Sequence, residues 1–216
     1  LVKKLQLVRR KRWQHQFQRI LLFALGAGFF FALFFYVGNP HIKYIYASNL
    51  LENAEYDRAI SIFKSLGEFK DSEEMIKEAN YEKAYDCLVN KKFVEASALF
   101  AGNSGYRNSE ELVSEAKYQK AAYYLANKRY DESAYIFTSL KEYKDSKKLV
   151  HEANYLKAKD LLEQNNYAAA AGALSFNRGY KDSDKLFSKA YFLWGMQLMG
   201  RNQWTDAKYV FSKVDK

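Results

Sequence analysis

Residues with the chemistry for catalysis or metal binding are few and scattered along this chain. Its three histidines, His15, His41 and His151, lie far apart, and no pair has the spacing of metal ligands. The one cysteine, Cys87, has no histidine near it in the sequence to activate a thiolate. Apart from Gly26-Ala27-Gly28 the glycines are isolated, so no phosphate-binding loop is recognisable. These patterns predict a protein that is not an enzyme and holds no metal or cofactor.

A four-residue motif of aromatic, basic, Asp or Asn, and Ser recurs at a period of 37 residues. Its copies end at Ser72, Ser109, Ser146 and Ser183. A fixed period between 20 and 50 residues indicates a stacked repeat array. One interpretation of the motif is a ligand contact repeated once per unit. The other, which we favour, is structural: a packed aromatic ring, a surface cation and a capped helix start explain every residue.

The positions within each repeat predict two helices per unit. Aligned on the period, the units are 44–80, 81–117, 118–154 and 155–191, followed by a partial unit 192–216. The first and thirteenth positions are aromatic, the fourth and sixteenth are small, and the twentieth is large. In the third unit these residues are Tyr118, Ala121, Tyr130, Ser133 and Phe137. Spacings of three and four place them on one helix face, with small residues where two helices cross.

The ends of these helices are marked by residue type. The longer helix is predicted to run from about Ser72 to Val89 and through the equivalent residues of later units, and the shorter one to begin near the thirteenth position. Gly67, Gly105 and Gly179 fall in the loops that close three of the units. The motif residues before the longer helices are of N-cap type, and a following glutamate at 74 or 111 resembles a capping box. These N-cap candidates are Asp71, Asn108, Asp145 and Asp182.

Small residues at the fourth and sixteenth positions, with an aromatic four residues later, resemble the tetratricopeptide repeat family. The spacing is seen as Ala84, Ala96 and Phe100, and again as Ala121, Ser133 and Phe137. The period differs from the family's 34 residues, and the tyrosine-lysine-aspartate-serine motif replaces its helix-breaking proline. The array is also similar to repeats found in membrane-anchored bacterial proteins. The resemblance covers 44–216 and implies a superhelix with a concave protein- or peptide-binding face.

On the inner helix face that the family uses, tyrosines alternate with carboxylates. Such a groove would suit an extended or helical segment carrying Lys or Arg. The alternative is that these tyrosines form a core shared by adjacent units and that the glutamates are merely solvated. The predicted groove residues are Glu78, Tyr81, Tyr85, Glu115, Tyr118, Glu152, Tyr155 and Lys159.

The uninterrupted apolar run 20–37 predicts a single transmembrane helix. It holds 18 residues without a charge, and about 1.5 Å per residue brings it close to the thickness of a bilayer core. A cleaved signal peptide is the alternative, but the run is long and lacks a small-x-small site at its end. Ala24, Gly28 and Ala32 recur every four residues, a spacing that lets another membrane helix approach closely.

The segment 1–19 is strongly basic and predicts the orientation. Because Lys and Arg are retained on the cytoplasmic side, we expect a cytoplasmic N-terminus and an extracytoplasmic repeat array in the cell membrane. The same residues are candidates for contact with anionic lipid headgroups. They contribute seven of the nine net positive charges, so the remainder gives no sign of a nucleic-acid-binding face. The seven are Lys3, Lys4, Arg9, Arg10, Lys11, Arg12 and Arg19.

The predicted fold class is therefore all-α, with an N-terminal transmembrane helix followed by a helix-turn-helix repeat solenoid of about 4.5 tetratricopeptide-like units. The predicted segments are 1–19 (basic, cytoplasmic), 20–37 (transmembrane), 38–43 (linker) and 44–216 (solenoid).

The predicted function is that of a membrane-tethered scaffold whose groove binds a protein or peptide. The alternative is an architectural subunit of a larger membrane complex, with the solenoid and the membrane helix both packed on permanent partners. Homo-oligomer and hetero-complex remain open.

Overall fold

The computed structural model of the chain describes residues 18, 22–26, 28 and 38–214. Its contacts divide the chain into two compact units, Leu1–Lys83 and Ala84–Lys216. The boundary between them falls inside a helix. The described residues contain helices and turns but no strand.

Ten helices follow one another from Pro40 to Phe211 in the described chain. The first unit holds α1 (Pro40–Glu52), α2 (Tyr56–Leu66) and most of α3 (Ser72–Val89). The second unit holds the end of α3 and seven further helices. These are α4 (Phe93–Gly102), α5 (Ser109–Ala126), α6 (Tyr130–Ser139), α7 (Ser146–Glu163), α8 (Tyr167–Ser175), α9 (Ser183–Gly200) and α10 (Trp204–Phe211).

The predicted helix starts are confirmed. The longer helices α3, α5, α7 and α9 have 18 residues each and begin at the four motif serines. Each shorter helix begins at the aromatic residue in the thirteenth position of its repeat. The all-α repeat of helix pairs is therefore established, whereas the limits of the 37-residue units stay a prediction.

Small residues lie where the paired helices cross, as predicted. In the second unit Ala121 of α5 and Ser133 of α6 are fully buried, and the Ser133 hydroxyl donates to the Ala121 carbonyl at 2.9 Å. The ring of Phe137, also fully buried, meets Tyr118 edge-on with centroids 5.5 Å apart. In the first unit Phe63 meets Tyr44 in the same way at 5.6 Å. The core is thus rebuilt from the same few positions in successive repeats.

Two turns in each repeat contain a residue with a left-handed φ, and many of these residues are not glycine. Such a conformation costs a non-glycine residue about 1–2 kcal/mol. In the motif the basic residue adopts it, at Lys70, Arg107, Lys144 and Lys181, with φ from 46 to 52°. In the turn just before each shorter helix, the residues with a left-handed φ are Ala54, Lys91, Lys128, Asn165 and Asn202, with φ from 58 to 60°.

The predicted N-cap role of the motif's Asp or Asn is wrong for α5, α7 and α9. Asn108, Asp145 and Asp182 occupy the N-cap positions, but none of their side chains makes a capping hydrogen bond. Their ψ angles of 20–30° differ from the extended backbone that an N-cap side chain needs to reach the following amide groups. The capping box predicted with Glu111 is therefore not formed at Asn108.

The predicted membrane location is also corrected. No helix in the described part of the chain is long and apolar enough to span a bilayer, which contradicts a single-pass protein with an extracytoplasmic repeat array. A span needs about 20 mainly apolar residues, whereas the longest described helices have 18 and carry several charges.

Most of the predicted membrane segment 20–37 lies outside the described residues. Ala24 and Gly28 are described, helical and exposed, while Ala32 is not described. The seven basic residues predicted to contact lipid headgroups also lie outside the described residues.

Two glycine substitutions in the second unit should have opposite effects on stability. A methyl group at Gly172, inside α8, would meet nothing within 4 Å, so Gly172→Ala should raise the unfolding free energy by about 0.5–1 kcal/mol. At Gly195, inside α9, a methyl group would lie 2.5 Å from the Phe211 ring. Gly195→Ala should therefore lower the unfolding free energy, since overpacking costs about 1–3 kcal/mol and outweighs the gain in helix propensity.

Urea unfolding followed by circular dichroism measures both changes. A gain in stability from Gly195→Ala would show that the Phe211 ring moves aside at little cost.

Candidate functional site

Within each unit, the first-position tyrosine of a repeat hydrogen-bonds the aspartate of the following motif. In the first unit the Tyr44 hydroxyl donates to Asp71 Oδ1 at 2.5 Å. In the second unit the Tyr118 hydroxyl donates to Asp145 Oδ1, also at 2.5 Å, and Tyr155 bonds Asp182. These aspartates, among them Asp145 and Asp182 that do not cap their helices, therefore act as acceptors for a residue 27 positions earlier in the chain.

A glutamate on each of two longer helices binds the aromatic and basic residues of the next motif. Glu115 of α5 accepts from the Tyr143 hydroxyl at 2.9 Å and pairs with the Lys144 ammonium group. Glu152 of α7 accepts from the Tyr180 hydroxyl at 2.7 Å and from Lys181 Nζ at 2.5 Å. The glutamates lie three residues before the first-position tyrosines, so both residues face the same motif.

The motif lysines lie over aromatic rings while they make these ion pairs. Lys144 Nζ is 4.9 Å from the Tyr118 ring centroid, and Lys181 Nζ is 4.9 Å from that of Tyr155. In the first unit Lys70 Nζ lies 4.4 Å from the Tyr44 centroid. Cation–π attraction of about 0.5–1 kcal/mol thus adds to the hydrogen bonds. We call this set of contacts the repeat junction: a glutamate and a tyrosine of one longer helix, bound to the tyrosine, lysine and aspartate of the next motif.

Burial and hydrogen bonding in the repeat junction shift several pKa values. The hydrogen bond to Asp145, with burial, raises the pKa of Tyr118 to about 12. Burial and the bond to the neighbouring glutamate raise the pKa values of Tyr143 and Tyr180 to about 12. Burial by itself would raise the pKa of Glu115, but bonds from Lys144, Gln119 and Tyr143 hold it below its ordinary value.

Four of the eight predicted groove residues take part in the repeat junction: Glu115, Tyr118, Glu152 and Tyr155. Their carboxylates and hydroxyls bind the chain itself. Glu78 and Tyr81 are half-buried on α3 in the first unit. Lys159 is exposed on α7, with its ammonium group 5.6 Å from the Tyr155 ring centroid. Tyr85 is 47% exposed and lies on the part of α3 in the second unit.

Tyr85 borders a hollow of about 380 Å³ in the second unit. The hollow lies between the end of α3 and α5. Its exposed rim includes Val89 (67%) and Tyr123 (44%), and the Tyr123 ring lies 6.0 Å from that of Phe93. We call it the aromatic hollow; it is lined by Tyr85, Leu88, Val89, Lys91, Phe93, Gln119, Ala122 and Tyr123.

Two other hollows differ from it in character. One of about 430 Å³ contains Tyr124, whose ring is already covered by the protein's own cations: Arg129 lies 4.0 Å and Lys120 5.5 Å from its centroid. The other, of about 690 Å³, lies on α1 and α2 in the first unit and includes Ile42, Ile45 and Ile62.

The described residues do not assemble a recognisable reaction centre. Within 38–214 and the few described residues before it, no group of three or more His, Cys, Asp or Glu side chains could hold a metal ion. Cys87 is buried. His151 bonds the fully buried Asn177 at 2.7 Å and stacks on the Tyr180 ring, so it holds two repeats together.

Sequence reasoning missed most of the aromatic hollow. Val89, Phe93 and Tyr123 were not predicted as binding residues because the prediction followed tyrosines and carboxylates that recur in register. A usable signal was present, however. Apolar residues at Val89 and Tyr123 fall outside the repeated core positions, where a purely structural repeat would carry polar side chains.

Three tyrosines of the repeat junction in the second unit should lose their protons only at unusually high pH. A raised tyrosine pKa adds stability that is fully present below pH 10 and is lost as the pH rises through about 12. Ring-carbon NMR of labelled tyrosine should therefore show Tyr118, Tyr143 and Tyr180 titrating near pH 12. Asp145→Asn should move the Tyr118 pKa back toward 10 and leave Tyr180 unchanged. An unaltered Tyr118 pKa would contradict the assigned bond.

Removal of the junction carboxylates should destabilise the protein only above acidic pH. The pKa values of Glu115 and Glu152 are held below the ordinary 4.5, so their stabilisation is present above that value and is lost as the pH falls through the lower folded value. The double variant Glu115→Gln/Glu152→Gln should lose about 1 kcal/mol per site at pH 7.

Urea unfolding at a series of pH values from 7 down to 2 tests this, because the difference from the native chain should shrink as the pH falls below 4.5. Glu132→Gln, which affects only an exposed pair with Arg129, is the matched control and should change little at any pH of the series. A loss of the same size at all pH values would assign the effect to packing.

Comparison with known proteins does not identify a family for this chain. No family model matches the chain, and no curated protein matches it. Among solved structures it is similar to a putative kinesin light chain with nearly identical tetratricopeptide-like repeats from Podosopora anserina. The two are 12% identical over 81% of this chain and 92% of the other, with a TM-score of 0.22. So low a TM-score carries no argument about function.

Proposed function

We infer that this chain is a non-catalytic protein-interaction module whose aromatic hollow binds a segment of another protein. The observation that supports this is the partly exposed apolar rim of the hollow: Tyr85, Val89 and Tyr123 remain 44–67% exposed. Side chains needed to hold the repeats together lie elsewhere, in the repeat junction. Partly exposed aromatic and aliphatic side chains around a hollow are typical of surfaces that anchor a partner's side chain.

The chemistry of the hollow defines the segment that fits. Six of its eight lining residues are apolar or aromatic, and Lys91 and Gln119 supply the polar groups. The predicted preference for a Lys- or Arg-rich partner depended on Glu115 and Glu152, but both carboxylates are bound within the repeat junction. A segment that inserts one large apolar side chain and offers an acceptor to Lys91 suits this composition better.

Selection of binders from a displayed library of random 12-residue peptides on the full chain tests the proposal. Enriched peptides should carry a large apolar residue. Tyr85→Ser/Val89→Ser should weaken their binding at least about tenfold, as expected when anchor contacts at the centre of an interface are removed. Fluorescence anisotropy with labelled peptides gives the affinities.

Tyr135→Ser is the matched control, because Tyr135 is 78% exposed on α6 and does not line the aromatic hollow. If no peptide is enriched, or if binding is insensitive to Tyr85 and Val89, the proposed site is rejected.

A second candidate function is a fixed subunit of a larger assembly. It is supported by exposed apolar side chains near the end of the second unit, where Trp204 is 58% and Tyr209 is 63% exposed. The native size after gentle extraction decides between the two functions. Proteins that co-purify stoichiometrically and survive raised salt support a fixed subunit, whereas a lone chain supports a module that binds transiently.

A further inference from the structure

Helix α9 presents a stripe of exposed side chains along one face. The spacing of its members is four, three, four and three residues, which keeps them in line on an α-helix. At 1.5 Å per residue the stripe is about 21 Å long. Its basic half lies toward the start of the helix and its apolar half toward the end. We call it the α9 stripe; its members are Lys185, Lys189, Phe192, Met196 and Met199.

All five side chains of the α9 stripe are exposed. Phe192 and Met196 are each 50% exposed and Met199 is 37% exposed. Neither Lys185 nor Lys189 has an ion-pair partner among residues 38–214. The apolar half continues toward the Phe211 ring, whose centroid lies 5.9 Å from that of Phe192. The stripe is therefore a continuous surface with two chemically distinct ends.

On the two preceding longer helices the middle of the equivalent stripe is occupied by the repeat junction. On α5 the residues are Glu115 and Tyr118, and on α7 they are Glu152 and Tyr155. In both cases the glutamate receives the tyrosine and lysine of the following motif. The tyrosine hydroxyl bonds the motif aspartate.

On α9 both residue types are replaced. Lys189 stands where α7 has Glu152, and Phe192 stands where it has Tyr155. A lysine here would repel the lysine of a tyrosine-lysine-aspartate-serine motif, and a phenylalanine has no hydroxyl for the aspartate. The α9 stripe thus does not match the motif that covers the equivalent face of α7, and a segment that pairs with its lysines would have to offer carboxylates.

We propose that the α9 stripe is a docking surface for an amphipathic segment of another protein, with carboxylates at one end of its contact face and apolar side chains at the other. Lys185 and Lys189 would pair with the carboxylates, and Phe192 with the two methionines would receive the apolar side chains. Methionine is flexible and polarisable, so such a surface adapts to apolar groups of different shape. A second copy of this chain fits less well, because its own stripe offers the lysines no carboxylate.

The test uses the full chain and a displayed library of random 16-residue peptides. Among the enriched peptides we expect a class with Asp or Glu at one end and Phe, Leu or Met three to eight residues away. The charge reversal Lys185→Glu/Lys189→Glu should weaken their binding at least about tenfold, and Phe192→Ser should weaken it similarly. Lys117→Glu on α5 is the matched control, since that lysine is also exposed, and it should leave binding unchanged.

Three outcomes would overturn the proposal. The first is that no acidic–apolar peptide is enriched, or that basic peptides are enriched instead. The second is that enriched peptides bind the charge-reversed chain as well as the native one. The third is a concentration-dependent dimer in sedimentation velocity that Phe192→Ser abolishes, which would assign the stripe to a second copy of the chain.

Peptides of the α9 class should bind the Tyr85→Ser/Val89→Ser variant normally, so this test and that of the aromatic hollow succeed or fail separately. Circular dichroism melting curves confirm that each variant remains folded, as expected for substitutions at exposed positions.

Discussion

The arrangement of the repeats depends on a hydrogen bond between a tyrosine hydroxyl and a carboxylate. In the second unit Tyr118 bonds Asp145 while Glu115 binds Tyr143 and Lys144, so two carboxylates and two tyrosines are interlocked around one lysine. Glu115, Tyr118 and Tyr143 are half-buried, so their polar groups would cost free energy if left unpaired, and each is satisfied by a residue 27 or 28 positions away in the chain. The interaction therefore ties α5 and α7 each to the motif at the start of the next longer helix.

The hydrogen bonds to these tyrosines explain why the motif aspartates do not have the helix-capping role that their position in the sequence suggests. Aspartate before a helix is ordinarily a cap, and the sequence of the motif suggests that role. In the folded chain the backbone at Asp145 and Asp182 is not extended, and the side chains turn toward tyrosines of an earlier helix. Tertiary hydrogen bonding has thus replaced local capping, an outcome that no short stretch of sequence could reveal.

Much of the architecture follows from periodicity in the sequence. The starts of α3, α5, α7 and α9 at the motif serines, and the small residues at the helix crossings, were predictable because the same positions recur. The aromatic hollow and the α9 stripe were not, because each depends on residues that break the period: Val89 and Tyr123 in one case, Lys189 and Phe192 in the other. A repeat pattern predicts what holds the chain together, whereas departures from it indicate where the surface is specialised.

The left-handed residues in the turns limit how this protein can change during evolution. Lys128 and Lys144, like their equivalents in other repeats, fix the number of residues between one helix and the next. Loss of a single residue within a helix would rotate everything beyond it by about 100° relative to what precedes it, and would separate each tyrosine before the deletion from a carboxylate beyond it. Whole 37-residue blocks can be duplicated or removed without that damage. Descendants of such a gene should therefore differ in the number of complete repeats and rarely in the length of any one of them.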